Sequence, residues 1–575
     1  MIVTPLQTSF ASGELSPRVS ARVDLDVYWN AAAYLENFMV VPHGPLLRRQ
    51  GTRFINQAKS LDVRLIDFKF NTEQSFVLEF SALAMRVYFK GGVIEKAGAV
   101  YEVVTPYTAS QLSSINWAQS GNVLYIVHPS HAPRKLKRLA NDNWTLEEVT
   151  FTDKPAVWAG TNYPSVVTFH EQRLYYAATP EEPQTIWGSR IGLFDEFTKK
   201  NSSDEVVDDM AIEYTIASDD VNGIKWLKAI DILAAGTSGA EYRVSSGTLN
   251  EALTPSNMRI SPQTNYGSAA IRPVQLGSGI IFVQRSKNRV RSFEYLFTDN
   301  QYTATDLTVL AEHIAQAGVK EMALQTAKDT YLWCCTDAGN IIALTYEKQQ
   351  KVVAWHRHSV GGKVVSLTTI PGEKADEVWV AVQRNINGNL VTYIEAFIDA
   401  FSETTDVVRG AFVDSHLTYD GPEVSVVSGL DHLEGQEVSI LVDGWVHPNR
   451  VVTNGQVALQ NPGTVIHIGL PYVSEFHSTS IQATDMVSSG RLKRVISADI
   501  SLLYSLGFEF GLVGGNTDTA FMGPTKIMNK AQDLFTGVKK VNVPGSSAND
   551  QQLLVKQTLP LPCIIRAIKY NTDIN

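Results

Sequence analysis

The side chains best able to do chemistry are the histidines of His356-Arg357-His358, the doublets Asp208-Asp209 and Asp219-Asp220, and the Gly-Lys pair in SVGGKVV from Ser359. Alternate residues of a strand share a face, so His356 and His358 make half of a metal site. No cysteine or carboxylate stands beside them at a recognised ligand spacing, and His128 with His131 flanks a proline-containing turn instead. Adjacent aspartates on a strand point to opposite sides, so neither doublet can by itself set a general acid and a general base across one glycosidic bond. SVGGKVV lacks the earlier glycine and the following Ser/Thr of a phosphate loop, LGSGIIF carries Phe282 where a third glycine is needed, and no G-x-S-x-G elbow occurs. These patterns predict no catalytic residue, no cofactor, no metal and no enzymatic activity.

Composition narrows the classes further. With 44% hydrophobic and 19% charged residues over 575 positions, the chain reads as several globular domains. A net charge of -10 argues against a protein whose main task is gripping phosphate backbones. That sign suits a conduit through which DNA slides, and equally suits simple solubility. Cys334, Cys335 and Cys563 supply no disulfide framework, which predicts assembly in a reducing cytoplasm. No basic-then-apolar leader opens the sequence and no run approaches about 18 apolar residues, so neither secretion nor a membrane span is expected.

The elements that would position any site are strands. Seven units recur at spacings of roughly 46 to 58 residues, near the period of propeller blades. They are FVLEFSALAMRVYF from Phe76, LYIVHPSHAPRKLKRL from Leu124, LYYAATPEEPQTIWGS from Leu174, ILAAGTSGAEYRVSS from Ile232, IIFVQRSKNRVRSFEY from Ile280, LWCCTDAGNIIALTY from Leu332 and VWVAVQRNINGNLVTYIEAF from Val378. Each is an apolar strand, a polar turn and an alternating strand, the pattern of a β-hairpin. YPSVVTF, IRPVQL and VVSLTTI supply third strands. A mainly β protein follows, with a β-propeller of about seven blades over 61–400; two stacked sandwiches are the alternative. Shorter segments joined by DG and NG turns predict a small antiparallel barrel or sandwich over 401–475. Residues 1–60 and 476–575 read as terminal segments that could join in a platform. Tyr28, Trp29, Tyr34 and Phe38 are spaced for one side of a short helix from about Leu25.

The opening FASGELSPR, the NF dipeptide and the segment PHGPLLRRQGTRF resemble the start of bacteriophage tail proteins. WAQSGNVLYIVHPSHAPRKLKRL, YPSVVTFHEQRLYYAATPEEPQTIWGSR, GLDHLEGQEVSILVDG and LPLPCIIRAI extend the likeness along the chain, which is similar to the tail nozzle, or tail tubular protein B-like, structural family of short-tailed phages. The resemblance implies a virion tail protein in a homo-oligomeric ring, a hexamer in that family, below a tail adaptor. Tail fibre or spike proteins would be neighbours, and genomic DNA would touch the channel without sequence preference. A carbohydrate-binding or carbohydrate-cleaving propeller and a minor virion stabilisation protein are the alternative functions. Pro42, Gly44, Arg48, Arg49 and Arg53 form the candidate assembly interface, because the run is punctuated by proline and glycine and a guanidinium fork binds carboxylates in two places. A second basic group, Arg134, Lys135, Lys137 and Arg138, falls on one hairpin.

Overall fold

A computed structural model describes residues 2–218, 220–247, 251–401, 406–482, 490–522 and 531–574; Asp219 of the second acidic doublet lies outside them. The chain divides into two compact units. One comprises Met1–Leu61, Leu310–Gln316 and Leu324–Asn575; the other comprises Asp62–Val309 and Ala317–Ala323. The fold is mainly β and its class is the β-propeller.

In Asp62–Val309 five antiparallel sheets of four or five strands follow one another, besides a two-stranded ribbon of Glu95–Lys96 and Ala99–Val100. The third is representative: Val166–His170, Arg173–Ala177, Thr185–Gly188 and Ile212–Thr215 each pair with the next. Its side chains alternate between two cores. Leu174, Tyr176 and Trp187 pack with Tyr125 and Val127 of the preceding sheet, whereas Tyr175, Ala177 and Ile186 pack with Leu233 and Val244 of the following one. Further clusters join the first sheet to the second through Phe68, Phe76 and Trp144, and the fourth to the fifth through Trp226, Phe282 and Phe293. An interior sheet thus buries both faces against different neighbours. That is blade stacking, and it is why these strands read as nearly continuous apolar runs; paired sandwiches would leave one face of each sheet in water.

The other unit holds the sixth and seventh hairpins, Tyr331–Thr336 with Ile341–Glu347 and Glu377–Ile386 with Asn389–Phe397. Thr52–Gln57, from the N-terminal segment, pairs antiparallel with Asn389–Phe397 on one side, and on the other His416 pairs in parallel with Arg53. The same sheet continues into Asp414–Ser428, Gln456–Leu470, Glu437–Val442 and Trp445–Val451, which enclose their own core around Leu433, Ile440 and Ile466. Gly51 makes the strand approach possible: a Cβ there would stand 1.7 Å from the Val413 carbonyl oxygen. Gly51→Ala must push backbone against backbone, and we expect a loss of about 1–3 kcal/mol. A thermal unfolding scan checks it; an unchanged midpoint would contradict this packing.

Both chain ends join in one sheet. Ile2–Val3 and Leu6–Gln7 pair with Ile564–Ile574, which also pairs with Lys493–Ser505 and Leu46–Arg48; Phe535–Asn542 and Phe38–Val40 complete it. It shares a core with a second sheet through Leu35, Phe476, Phe508, Ile500, Ile565 and Ile568. The segment from Leu25 is not the short helix that the aromatic spacing predicts. Asp26–Asn30 is a single 3-10 turn, and Ala31–Glu36 is a strand. Gly13–Glu14 in parallel and Ser474–Ser478 antiparallel supply ladder partners for it. Those tertiary bonds override the helical preference of its three alanines.

Candidate assembly site and its buried arginine hub

The Pro42–Arg53 segment contains two short strands, Leu46–Arg48 and the start of Thr52–Gln57, where the sequence shows no alternation. Edges of existing sheets supply the pairing, so local pattern need not. Gly44 is buried at φ +106°, a region open to glycine, and a Cβ would stand 2.7 Å from Ser9 Oγ. Its carbonyl accepts the Phe10 amide at 2.8 Å, tying the turn to the N-terminus. Pro42 is partly buried, and Arg53 is exposed.

Arg48 and Arg49 face inward, each 1% exposed. All five N–H groups of Arg49 are used. Nε donates to Asn37 Oδ1 at 2.8 Å; Nη1 donates to Gln50 O at 2.9 Å and Asp414 Oδ1 at 2.8 Å; Nη2 donates to Ser359 O at 2.6 Å and Asp414 Oδ2 at 2.8 Å. The plane lies 3.9 Å from the Tyr472 ring centre. Burial disfavours this charge, but the attraction and hydrogen bonds of Asp414 outweigh it and leave the guanidinium raised above its ordinary range. Arg48 has only neutral acceptors: Ser474 Oγ at 3.1 Å, Tyr472 O at 3.2 Å, Leu561 O at 2.7 Å and Leu559 O. Burial accordingly pulls its pKa down.

A second buried fork lies alongside. Arg384 donates to Glu395 at 2.8 and 2.9 Å, with the side chains 1% and 0% exposed. Thr52 Oγ1 donates to Glu395 at 2.5 Å, and the Thr52 amide donates to Asp414 at 3.1 Å, so one threonine links both ion pairs. Asn37, held at φ +56°, donates to Ser359 Oγ and Val473 O. Thr345 Oγ1 donates to Val40 O at 2.6 Å and lies 3.1 Å from His356 Nε2. His356 and His358 are hydrogen-bonded to each other at 2.8 Å, and burial drives His356 down to about 3 and His358 well below the ordinary range. The pair is therefore a neutral link within the core. Among the described residues no group of three or more His, Cys, Asp or Glu is placed to hold a metal ion.

The remaining candidates are occupied within the chain. Arg134 pairs with Glu148 and Lys137 with Glu147, each at 2.8 Å, while Lys135 meets Asp195. Asp209 pairs with Arg190 at 2.5 Å, and Asp208 offers its carbonyl to Arg173. Asp414, Glu395 and Glu14 belong to no recognised catalytic or metal-binding motif in the sequence. Their signal was a single acid inside an apolar or small-residue run, in AFVDSH, TYIEAF and SGELS. Glu14, 1% exposed, accepts from Leu35 N at 2.9 Å and Arg357 Nε at 3.0 Å and lies 2.6 Å from His313 Nε2.

The family described as bacteriophage nozzle protein matches residues 116–432, more than half of the chain. The chain belongs to the bacteriophage nozzle protein family. It is therefore a structural protein of the phage tail. No curated protein sequence matches it. Among solved structures, the WD40 repeats of RRP9 are similar at 9% identity and a TM-score of 0.39, over 61% of this chain and 99% of that one. The β-propeller domain of Cps50 (Swd1) from Myceliophteria thermophila is similar at 10% identity and a TM-score of 0.38, over 60% and 99%. Within the nozzle family setting, the arginine hub is an internal brace: it fixes the N-terminal segment against Ser359, Asp414, Tyr472, Ser474 and the 559–561 loop.

Proposed function

We propose that this nozzle-family protein is the repeating subunit of a ring, a hexamer as the family resemblance implies, that extends the DNA channel below the tail adaptor and gates ejection. The observation that supports it is the sheet built from both chain ends. It exposes Ile2, Leu6, Ile496 and Val538 at 66, 60, 42 and 64%, and among the described residues Phe535–Asn542 ends the sheet with an open edge. An open edge and apolar side chains left exposed on the same sheet are features that a partner can cover. Pro42 and the outward Arg53 add to the assembly surface, with the buried Gly44, Arg48 and Arg49 bracing it from inside. Tail fibre or spike proteins signal across such contacts, loops withdraw from the lumen, and DNA passes an acidic protein that does not grip it.

Arg53→Glu, and separately Ile496→Glu with Val538→Glu, are expected to leave circular dichroism unchanged while the particles lack the protein. Normal incorporation of both variants into infectious virions would contradict the proposal.

A further inference from the structure

In Asp62–Val309 the opening strand of each sheet is an edge strand of that sheet. Asn116–Ser120 lies against Val166–His170, which lies against Ile224–Ala229. Together with Arg272 and Pro273 these strands line a cavity of about 210 Å³. A water molecule occupies about 30 Å³ of liquid, so a small hydrated solute fits. The wall carries Asn116, Thr168, Lys228 and Arg272. The side chains of Asn116, Thr168 and Lys228 make no hydrogen bond or salt bridge among the described residues. Arg272 lies 4.4 Å from the Trp117 ring centre, with Nη1 3.7 Å from Asp67 Oδ1, too far for a hydrogen bond.

The charges around the cavity do not balance. Asp67 is shared between Arg272 and Lys69, whose Nζ lies 3.2 Å away, and Glu321 faces Arg64 at 3.5 Å. Arg64, Lys69, Lys228 and Arg272 stand against Asp67 and Glu321, a surplus of two positive charges. Burial lowers Lys228 to about 8, with Arg272 and Lys69 adding repulsion and Asp67 opposing it. A half-buried ammonium without a salt-bridge partner is unfavourable unless something completes its shell.

We propose that this cavity binds a phosphate-class dianion, held by Lys228 and Arg272 with Thr168 and Asn116 as neutral donors. Two unit charges match the surplus, and charge-assisted bonds from ammonium and guanidinium are the strong ones for phosphate oxygens. Free phosphate and the terminal phosphate of a nucleotide share this chemistry.

Titration calorimetry of the full chain with sodium phosphate, and separately with adenosine monophosphate, at constant ionic strength, tests the proposal. Saturable binding of phosphate near one per chain is expected. Lys228→Met should weaken it by roughly tenfold or more, and Thr168→Val should weaken it less. Lys225→Met, on the same strand but outside the cavity, should leave it unchanged. Phosphate should raise the melting temperature of the wild type and of Lys225→Met but not of Lys228→Met, whose own transition verifies that it folds. Binding of phosphate alone assigns the free ion, and binding of adenosine monophosphate assigns the nucleotide. Absence of saturable heat with both ligands, or equal affinity in Lys228→Met and wild type, overturns the site.

Discussion

Arg49→Met is expected to destabilise the unit that contains it by about 3–5 kcal/mol, the range for breaking a buried ion pair from one side. The substitution leaves Asp414, whose side chain is 2% exposed, with an uncompensated charge. It also removes the Arg49 donor from the Gln50 and Ser359 carbonyls and one of the two donors to Asn37 Oδ1. Asp414→Asn should cost a comparable amount, because it leaves the cation buried. The double variant should cost clearly less than the sum, since neither charge is then stranded. Urea unfolding followed by intrinsic fluorescence reads all three. Additive losses, or a loss below about 1 kcal/mol, the level of an exposed pair, would show that the hub does not brace the N-terminal segment.

Acidification should be comparably damaging. His356 is held at about 3, His416 at about 4 and His358 well below its ordinary value, in each case mainly by burial. Unfolding returns them to about 6.5. Because the folded values are depressed, the unfolded chain takes up protons that the folded chain refuses as pH falls below 6.5. Stability is full above that value and is lost downward, at about 1.4 kcal/mol per pH unit for each histidine and roughly 4 for the three together, until His416 protonates near pH 4. The urea midpoint should therefore fall steeply between pH 7 and pH 5, and His356→Gln should flatten the slope. A midpoint independent of pH over that range would refute the neutral, buried assignment.

The blades were legible in the sequence because each one obeys a local rule. An apolar strand, a polar turn and a second strand recur near residues 76, 124, 174, 232, 280, 332 and 378, and all seven hairpins pair in the structure. The terminal sheets were less legible because their order is set by partners hundreds of residues away. Ala31–Glu36 has helix-forming alanines, yet its ladder comes from Gly13–Glu14 and Ser474–Ser478. The arginine cluster stood out by composition, but whether a guanidinium points inward depends on its counter-charge. Arg49 meets Asp414 across 365 positions of sequence, and no local spacing announces that pair. Arg53, one strand position after Thr52, differs only in facing the other side of the pleat.

Electron cryomicroscopy of intact particles tests the central claim most directly. The account predicts this chain as a closed ring on the tail axis, directly below the adaptor, with the sheet of both chain ends at a subunit or adaptor contact and a continuous lumen through the ring. Density for the chain off the axis, or as isolated copies around the tail with no lumen, would contradict it.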